Sequence, residues 1–190
     1  MDRAKLGRNY GQPVQLYSKL QHPHICQVLE VFDSQHFVMV CEIIDGLNLS
    51  NFMKCNGLAH QESQQVMYQL SAAMSYMHGE GVCHRNISLD NVMLVSGPTC
   101  NVKLIDFANA GPSVRPLTRK MPTPTPYFLA PELFNATVEY YGAQVDVWAA
   151  GVVLHVLLTG KFPFTSEKVR CRALAWPALL QQHTHMSTIS

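Results

Sequence analysis

Three short strings occur in one order along the chain: His84-Arg85-Asn86-Ile87-Ser88-Leu89-Asp90-Asn91, then Asp106-Phe107-Ala108, then Ala130-Pro131-Glu132. Between the first two lie Val92-Met93-Leu94-Val95 and Val102-Lys103-Leu104-Ile105, two β-rich runs around the turn-like Ser96-Gly97-Pro98. That arrangement predicts a hairpin carrying one polar string at each end. Downstream, Asp146-Val147-Trp148 lies in an apolar run from Val145 to Leu158. The run contains Asp146 and His155 and falls short of the ~18 to 20 apolar residues a membrane span needs, so it predicts a buried helix.

Upstream, Val28-Leu29-Glu30-Val31-Phe32 and Phe37-Val38-Met39-Val40-Cys41 flank the polar break Asp33-Ser34-Gln35-His36, the pattern of a first hairpin. Ile44-Asp45-Gly46-Leu47 predicts that the chain then leaves the sheet. From Gln61 to His78 the apolar residues Val66, Met67, Leu70, Ala73, Met74 and Met77 recur three and four residues apart. This is the spacing of an amphipathic helix with a methionine-rich core face, and Gly79 and Gly81 end it. Asn109 to Pro131 is rich in proline, has little periodicity and is too long for an ordinary connection. In the apolar run, Val147, Ala150, Gly151, Leu154, Leu157 and Leu158 fall on one helical face. Strands, a helix, a second hairpin and another helix together predict an α+β fold.

Composition narrows the function. Lys+Arg 14 against Asp+Glu 13, with only 14% charged residues, leaves no electrostatic footprint for nucleic acid or a membrane surface. The 47% hydrophobic share permits a sizeable core. The six cysteines include no close pair of zinc-ligand spacing, and the polar N-terminal stretch has no apolar segment of signal-peptide type. Reduced thiols and a cytoplasmic or nuclear address are expected.

The three strings resemble the H-R-D-L-x-x-x-N catalytic loop, the D-F-G and the A-P-E of eukaryotic protein kinases, in matching order and context. The resemblance covers about Asp2 to Phe164. It is of serine/threonine type, because Thr125 to Glu132 is similar to the threonine-bearing substrate loop of that branch, and the segment Asp146 to Phe164, with Leu157 to Phe164, looks closest to calmodulin-dependent and AMP-activated-like kinases. It implies a partial kinase-like fold with a remnant of the small β lobe at 1–45, an incomplete and mainly helical large lobe at 46–164, and a divergent tail at 165–190. ATP and Mg²⁺ are the implied cofactors, if binding is retained. Asn91 and Asp106 match the metal ligands, Glu42, Ile44 and Met93 the nucleotide pocket, and the implied partner or substrate is a protein.

The same comparison exposes departures. Asn86 stands where the resemblance puts the base Asp, and an amide accepts a hydrogen bond but takes up no proton at neutral pH. Ser88 stands in place of a lysine that would face the transferring phosphoryl group, and Ala108 in place of glycine. The sequence holds no glycine-rich G-x-G-x-x-G, and Asp2-Arg3-Ala4-Lys5-Leu6 resembles the residues just after the strand that carries the ATP lysine. Pro13 falls near the helix position of the glutamate that pairs with that lysine and disfavours a helix interior. The expectation is a truncated, catalytically inactive kinase-like domain with a binding or regulatory role. The alternative is an ATP-dependent kinase acting on protein Ser or Thr.

The remaining polar residues read as structural. His84 is expected to pack under the catalytic loop, with Asp146 anchoring the loop's backbone. Met67, Met74 and Met77 form a core stripe, Cys41 packs beside the hinge, and His22 and His24 flank Pro23 in a turn. Arg85 could receive a phosphate placed on Thr118, Thr123 or Thr125. Glu132 lacks an obvious partner, although Arg170 and Arg172 are near in sequence, and part of the helix from Asp146 to Leu158 is expected to lie uncovered.

Overall fold

The three-and-four spacing of residues 61–78 becomes the longest helix among the described residues, His60–Gly79 (α3). Val66, Leu70, Ala73, Met74 and Met77 are buried along it, and Met67 packs against the same core. Glu62 starts the helix by accepting the Ala59 N–H at 2.6 Å, one arm of a capping box. The computed structural model describes residues 11–33, 37–55, 57–97, 99–114, 116–117, 126–134 and 139–164. Lys5, Thr118, Thr123, Thr125, Arg170 and Arg172 lie outside them.

The predicted first hairpin is Val28–Asp33 (β1) against Phe37–Cys41 (β2), antiparallel, with an irregularity between Val28 and Glu30. A short helix, Gly11–Tyr17 (α1), precedes it. Pro13 does not break α1, because it sits in the first turn, where its missing N–H has no acceptor within the helix.

The chain leaves the first hairpin after Ile44, as expected, but goes straight into a second sheet. Gly46–Asn48 is a strand (β3) that joins Val92–Val95 (β5) and Val102–Leu104 (β6) in the order β3-β5-β6, all antiparallel. Gly46 permits this pairing, since a Cβ there would stand 2.0 Å from the Leu94 carbonyl oxygen. Helix Leu49–Cys55 (α2) follows β3. Gln69 of α3 ties the far end of the β5–β6 hairpin down, accepting the Val102 N–H and donating to the Cys100 carbonyl, each at 2.8 Å. The proline-rich stretch begins with order: Gly111–Pro112 (β7) pairs with Val82–Cys83 (β4).

The last described helix is Gly142–Thr159 (α4), closed by Gly160 in the left-handed conformation. Its length and hydropathy would suit a membrane span. It is instead a core helix, packed on α3 with the Asp146 side chain wholly buried. Of the face expected to point inward only Ala150 and Leu157 are buried. Val147 is 61% exposed and Leu154 and Leu158 are also exposed, whereas Val145, Asp146, Ala149, Val152, Val153 and Val156 are buried. The helix is apolar nearly all round, so periodicity does not choose a face, and the partners of Asp146 do. The exposed stripe agrees with the expectation of an uncovered face, and it lies on the side the sequence grouped as one apolar face.

Candidate active site

Asp146 organises the loop that carries the first string. Its Oδ2 accepts the His84 N–H at 2.8 Å and its Oδ1 the Arg85 N–H at 2.6 Å, while His78 Nε2 contacts Oδ2 at 2.9 Å. The backbone needs this support, because Arg85 has φ 63°, a left-handed conformation costly for a residue with a Cβ. The Arg85 guanidinium is bound as well, donating to the carbonyls of Asn109 (2.6 Å) and Ala110 (3.2 Å) and to the Tyr140 hydroxyl (3.3 Å). As it stands, Arg85 is engaged by its own chain rather than presented to a phosphate.

His84 is fully buried, and burial pushes its imidazole below the ordinary value although Asp146 pulls the other way. The ring is therefore neutral. Nε2–H donates to the Ile105 carbonyl at 2.8 Å, and Nδ1 accepts the Asn86 N–H at 3.2 Å. Both nitrogens are used, which makes His84 a structural residue and not a base. Its ring meets the edge of Phe107 at 4.5 Å, and Phe107 stacks on Tyr17 at 4.2 Å and 6°. A column Tyr17–Phe107–His84 thus joins α1 to the anchored loop. Burial beside Asp146 also pushes the Cys83 thiol up to about 12, so it remains protonated.

Asp106, the next residue of the second string, is left-handed at φ 61°, with Oδ1 accepting the Ala108 N–H at 3.4 Å. Its Oδ2 accepts from Asn86 Nδ2 at 3.2 Å. Asn91 Nδ2 donates to the Asn86 carbonyl at 2.8 Å. Asn86 thus bridges both residues expected to hold a metal. A carboxylate and an amide oxygen are hard donors that fit Mg²⁺, which when bound to Asp106 and Asn91 would neutralise charge on nucleotide phosphates. Ser88 is buried at 2% exposure, so no charge replaces the expected lysine at that point.

Asp106 opens onto a cavity of about 540 Å³ beneath the β1–β2 hairpin, a volume typical of small-molecule sites. Glu42, Ile44 and Met93, the residues expected for the nucleotide, all line it. So does Cys41, expected beside the hinge, together with Pro13, Tyr17, Cys26, Met39 and Ile105, which were not assigned to the pocket from sequence. The cavity wall is mostly apolar, and α1 offers Pro13 where a carboxylate was to be expected. The Glu42 carboxylate is committed elsewhere, accepting from Lys103 Nζ and the Gln27 N–H, both at 2.7 Å.

Burial opposes ionisation of Glu42, but the hydrogen bonds from Lys103 and Gln27 outweigh it and hold the carboxyl below its usual range. A depressed carboxylate contributes stability above its unfolded value and loses it as pH falls through the folded one. Lys103→Met is expected to cost about 0.2–1 kcal/mol at neutral pH and nothing in acid. Urea titrations at the two pH values measure this.

Glu132 is half-buried and meets no cation at ion-pair distance among the described residues. His22 stacks on Tyr76 at 5.2 Å, and His24 Nδ1 contacts the Val102 carbonyl at 3.1 Å, both structural uses.

A loop hung on a buried aspartate, an aromatic column beneath it and a cavity closed by a β hairpin define the protein kinase class of fold. The model of the protein kinase domain matches residues 2–186. The chain is 34% identical over 156 residues to protein kinase kin1 of Schizosaccharomyces pombe, covering 81% of this chain and 17% of that one. It is 35% identical over 184 residues to CBL-interacting protein kinase 25 of Oryza sativa subsp. japonica, covering 89% and 35%. With serine/threonine-protein kinase SRK2J of Arabidopsis thaliana it shares 33% over 171 residues, covering 88% and 50%. The chain belongs to the protein kinase family, serine/threonine type, and spans half or less of the length of these relatives.

Proposed function

We propose that this kinase domain is catalytically inactive and works by binding a protein partner. The observation that carries the reading is the Asn86 amide, which points its N–H at Asp106 Oδ2 from the position of the base. That group donates, and the substrate hydroxyl of a phosphoryl transfer needs an acceptor that takes up a proton. Loss of a general base typically costs ~10² to 10⁴ in rate. Buried, uncharged Ser88 and Pro13 on the cavity wall remove charge from the same transition state. These act on one unit, so their costs combine rather than add.

A second reading, ATP-dependent transfer to Ser or Thr of proteins, is favoured by the metal-side donors Asn91 and Asp106 and by the intact Tyr17–Phe107–His84 column. The purified chain with Mg²⁺, labelled ATP and Ser/Thr peptides is expected to incorporate no phosphate above a protein-free control. Incorporation abolished by Asp106→Ala would establish the second reading. A thermal titration with Mg²⁺ and ATP reads nucleotide binding separately, since a ligand of the native state raises Tm.

A further inference from the structure

At the back of the cavity three side chains meet that phosphoryl transfer leaves unused. The Tyr17 hydroxyl donates to the Cys26 carbonyl and neighbours the thiols of both Cys26 and Cys41. The Cys26 thiol donates to the Glu42 carbonyl at 3.9 Å and lies within electrostatic reach of the Cys41 thiol, and both residues line the cavity. The strand register explains the encounter. Cys41 stands opposite Val28, and the Glu42 N–H donates to the Gln27 carbonyl at 2.9 Å, so Cys26 and Cys41 share one face at diagonal positions. All five described cysteines are free.

We propose that Cys41 and Cys26 form an oxidation site for a hydroperoxide entering the cavity, with Cys41 the attacked thiol and Cys26 the resolving one. Exposure sets the order: Cys41 is half-buried and faces the cavity, whereas Cys26 is 6% exposed. Cys41 sulfur attacks the terminal peroxide oxygen; the S–O bond forms, the O–O bond breaks, and the leaving oxygen takes the thiol proton as water or alcohol. Cys26 sulfur then attacks the sulfenic sulfur; the S–S bond forms, and hydroxide leaves with the Cys26 proton as water. Two thiols lose two electrons, and the peroxide gains them. Burial pushes the Cys26 thiol up although the Tyr17 hydroxyl pulls it down, which keeps Cys26 protonated until a sulfenic acid forms beside it. A bridge requires the two Cα atoms to come within about 7 Å, the closest approach that diagonal strand neighbours make. It therefore draws the Ile25–Gln27 segment toward β2 and narrows the back of the cavity.

The test treats the full 190-residue chain with hydrogen peroxide, blocks remaining thiols and maps disulfides by mass spectrometry without reduction. The expected result is a chain lighter by two hydrogens, a peptide linking Cys26 to Cys41, and reversal by dithiothreitol. With Cys26→Ala, Cys41 stops at a sulfenic acid captured by a dimedone probe. With Cys55→Ser, at an exposed thiol remote from the cavity, the link forms as before. Oxidation confined to Cys55 or Cys100, or Cys41 carried to sulfinic acid with Cys26 still free, overturns the proposal. The mapping of the unmodified sequence decides it even if a variant fails to fold.

Discussion

Asp146→Ala is expected to cost about 3–5 kcal/mol, the price of removing one partner from a buried charged network. The magnitude follows from what is left behind. The carboxylate is wholly buried and accepts from two backbone amides and His78. Alanine leaves the His84 and Arg85 N–H groups without acceptors, each at about 1–3 kcal/mol, and removes the contact that keeps Arg85 left-handed. Against a total stability of about 5–15 kcal/mol, that is a large share. Asp146→Asn should be milder, because one oxygen is kept while the new NH₂ meets a donor. Chemical denaturation measures both; a loss under about 1 kcal/mol for the alanine variant would show that the loop is held by other contacts.

Asp146 also marks how far the sequence could be read. Its place at the start of an apolar helix, with the three ordered strings, was enough to expect an anchor for the loop, and the structure puts it there. α3 was legible because its apolar side chains repeat at 3.6 residues, and both hairpins because β-rich runs flank a polar or turn-like break. The inward face of α4 was not, since an almost uniformly apolar helix carries no phase. β3 was missed because Gly46 reads as a break, and only the close approach to Leu94 shows what the glycine is for. α1 was legible only as a helix remnant in the N-terminal segment, being seven residues long with glycine and proline in its first turn, so Tyr17 could not be placed on Phe107. Of the site, the loop residues and the metal-side pair came from motif spacing. The dithiol depended on strand register, which separated residues do not reveal until the pairing is known.

Asn86→Asp, the substitution that restores a base on paper, is expected to destabilise the metal-free chain at neutral pH and to make its stability depend on Mg²⁺. The native amide donates to Asp106 Oδ2 at 3.2 Å. A carboxylate at the same place has no proton to donate and brings a second negative charge to the same distance. Losing a hydrogen bond to a charged group costs about 1.5–3 kcal/mol, and solvent at Asp106, an exposed residue, reduces both this and the repulsion, giving roughly 1–2 kcal/mol. At roughly 2–4 °C per kcal/mol for a chain of this size, Tm falls by about 2–8 °C. The pH dependence has a definite sign. Two carboxylates sharing a site raise the folded-state pKa of one of them above its unfolded value, so the penalty is present at neutral pH and relaxes as pH falls and that group protonates. Mg²⁺ bound between the two charges reverses the repulsion, so the variant should regain stability on titration with Mg²⁺ while the parent chain changes less. Thermal melts of both chains across pH, with and without Mg²⁺, test this directly. An equal response to Mg²⁺ in the two would mean that Asn86 does not control Asp106, and would remove the observation on which the inactive reading rests.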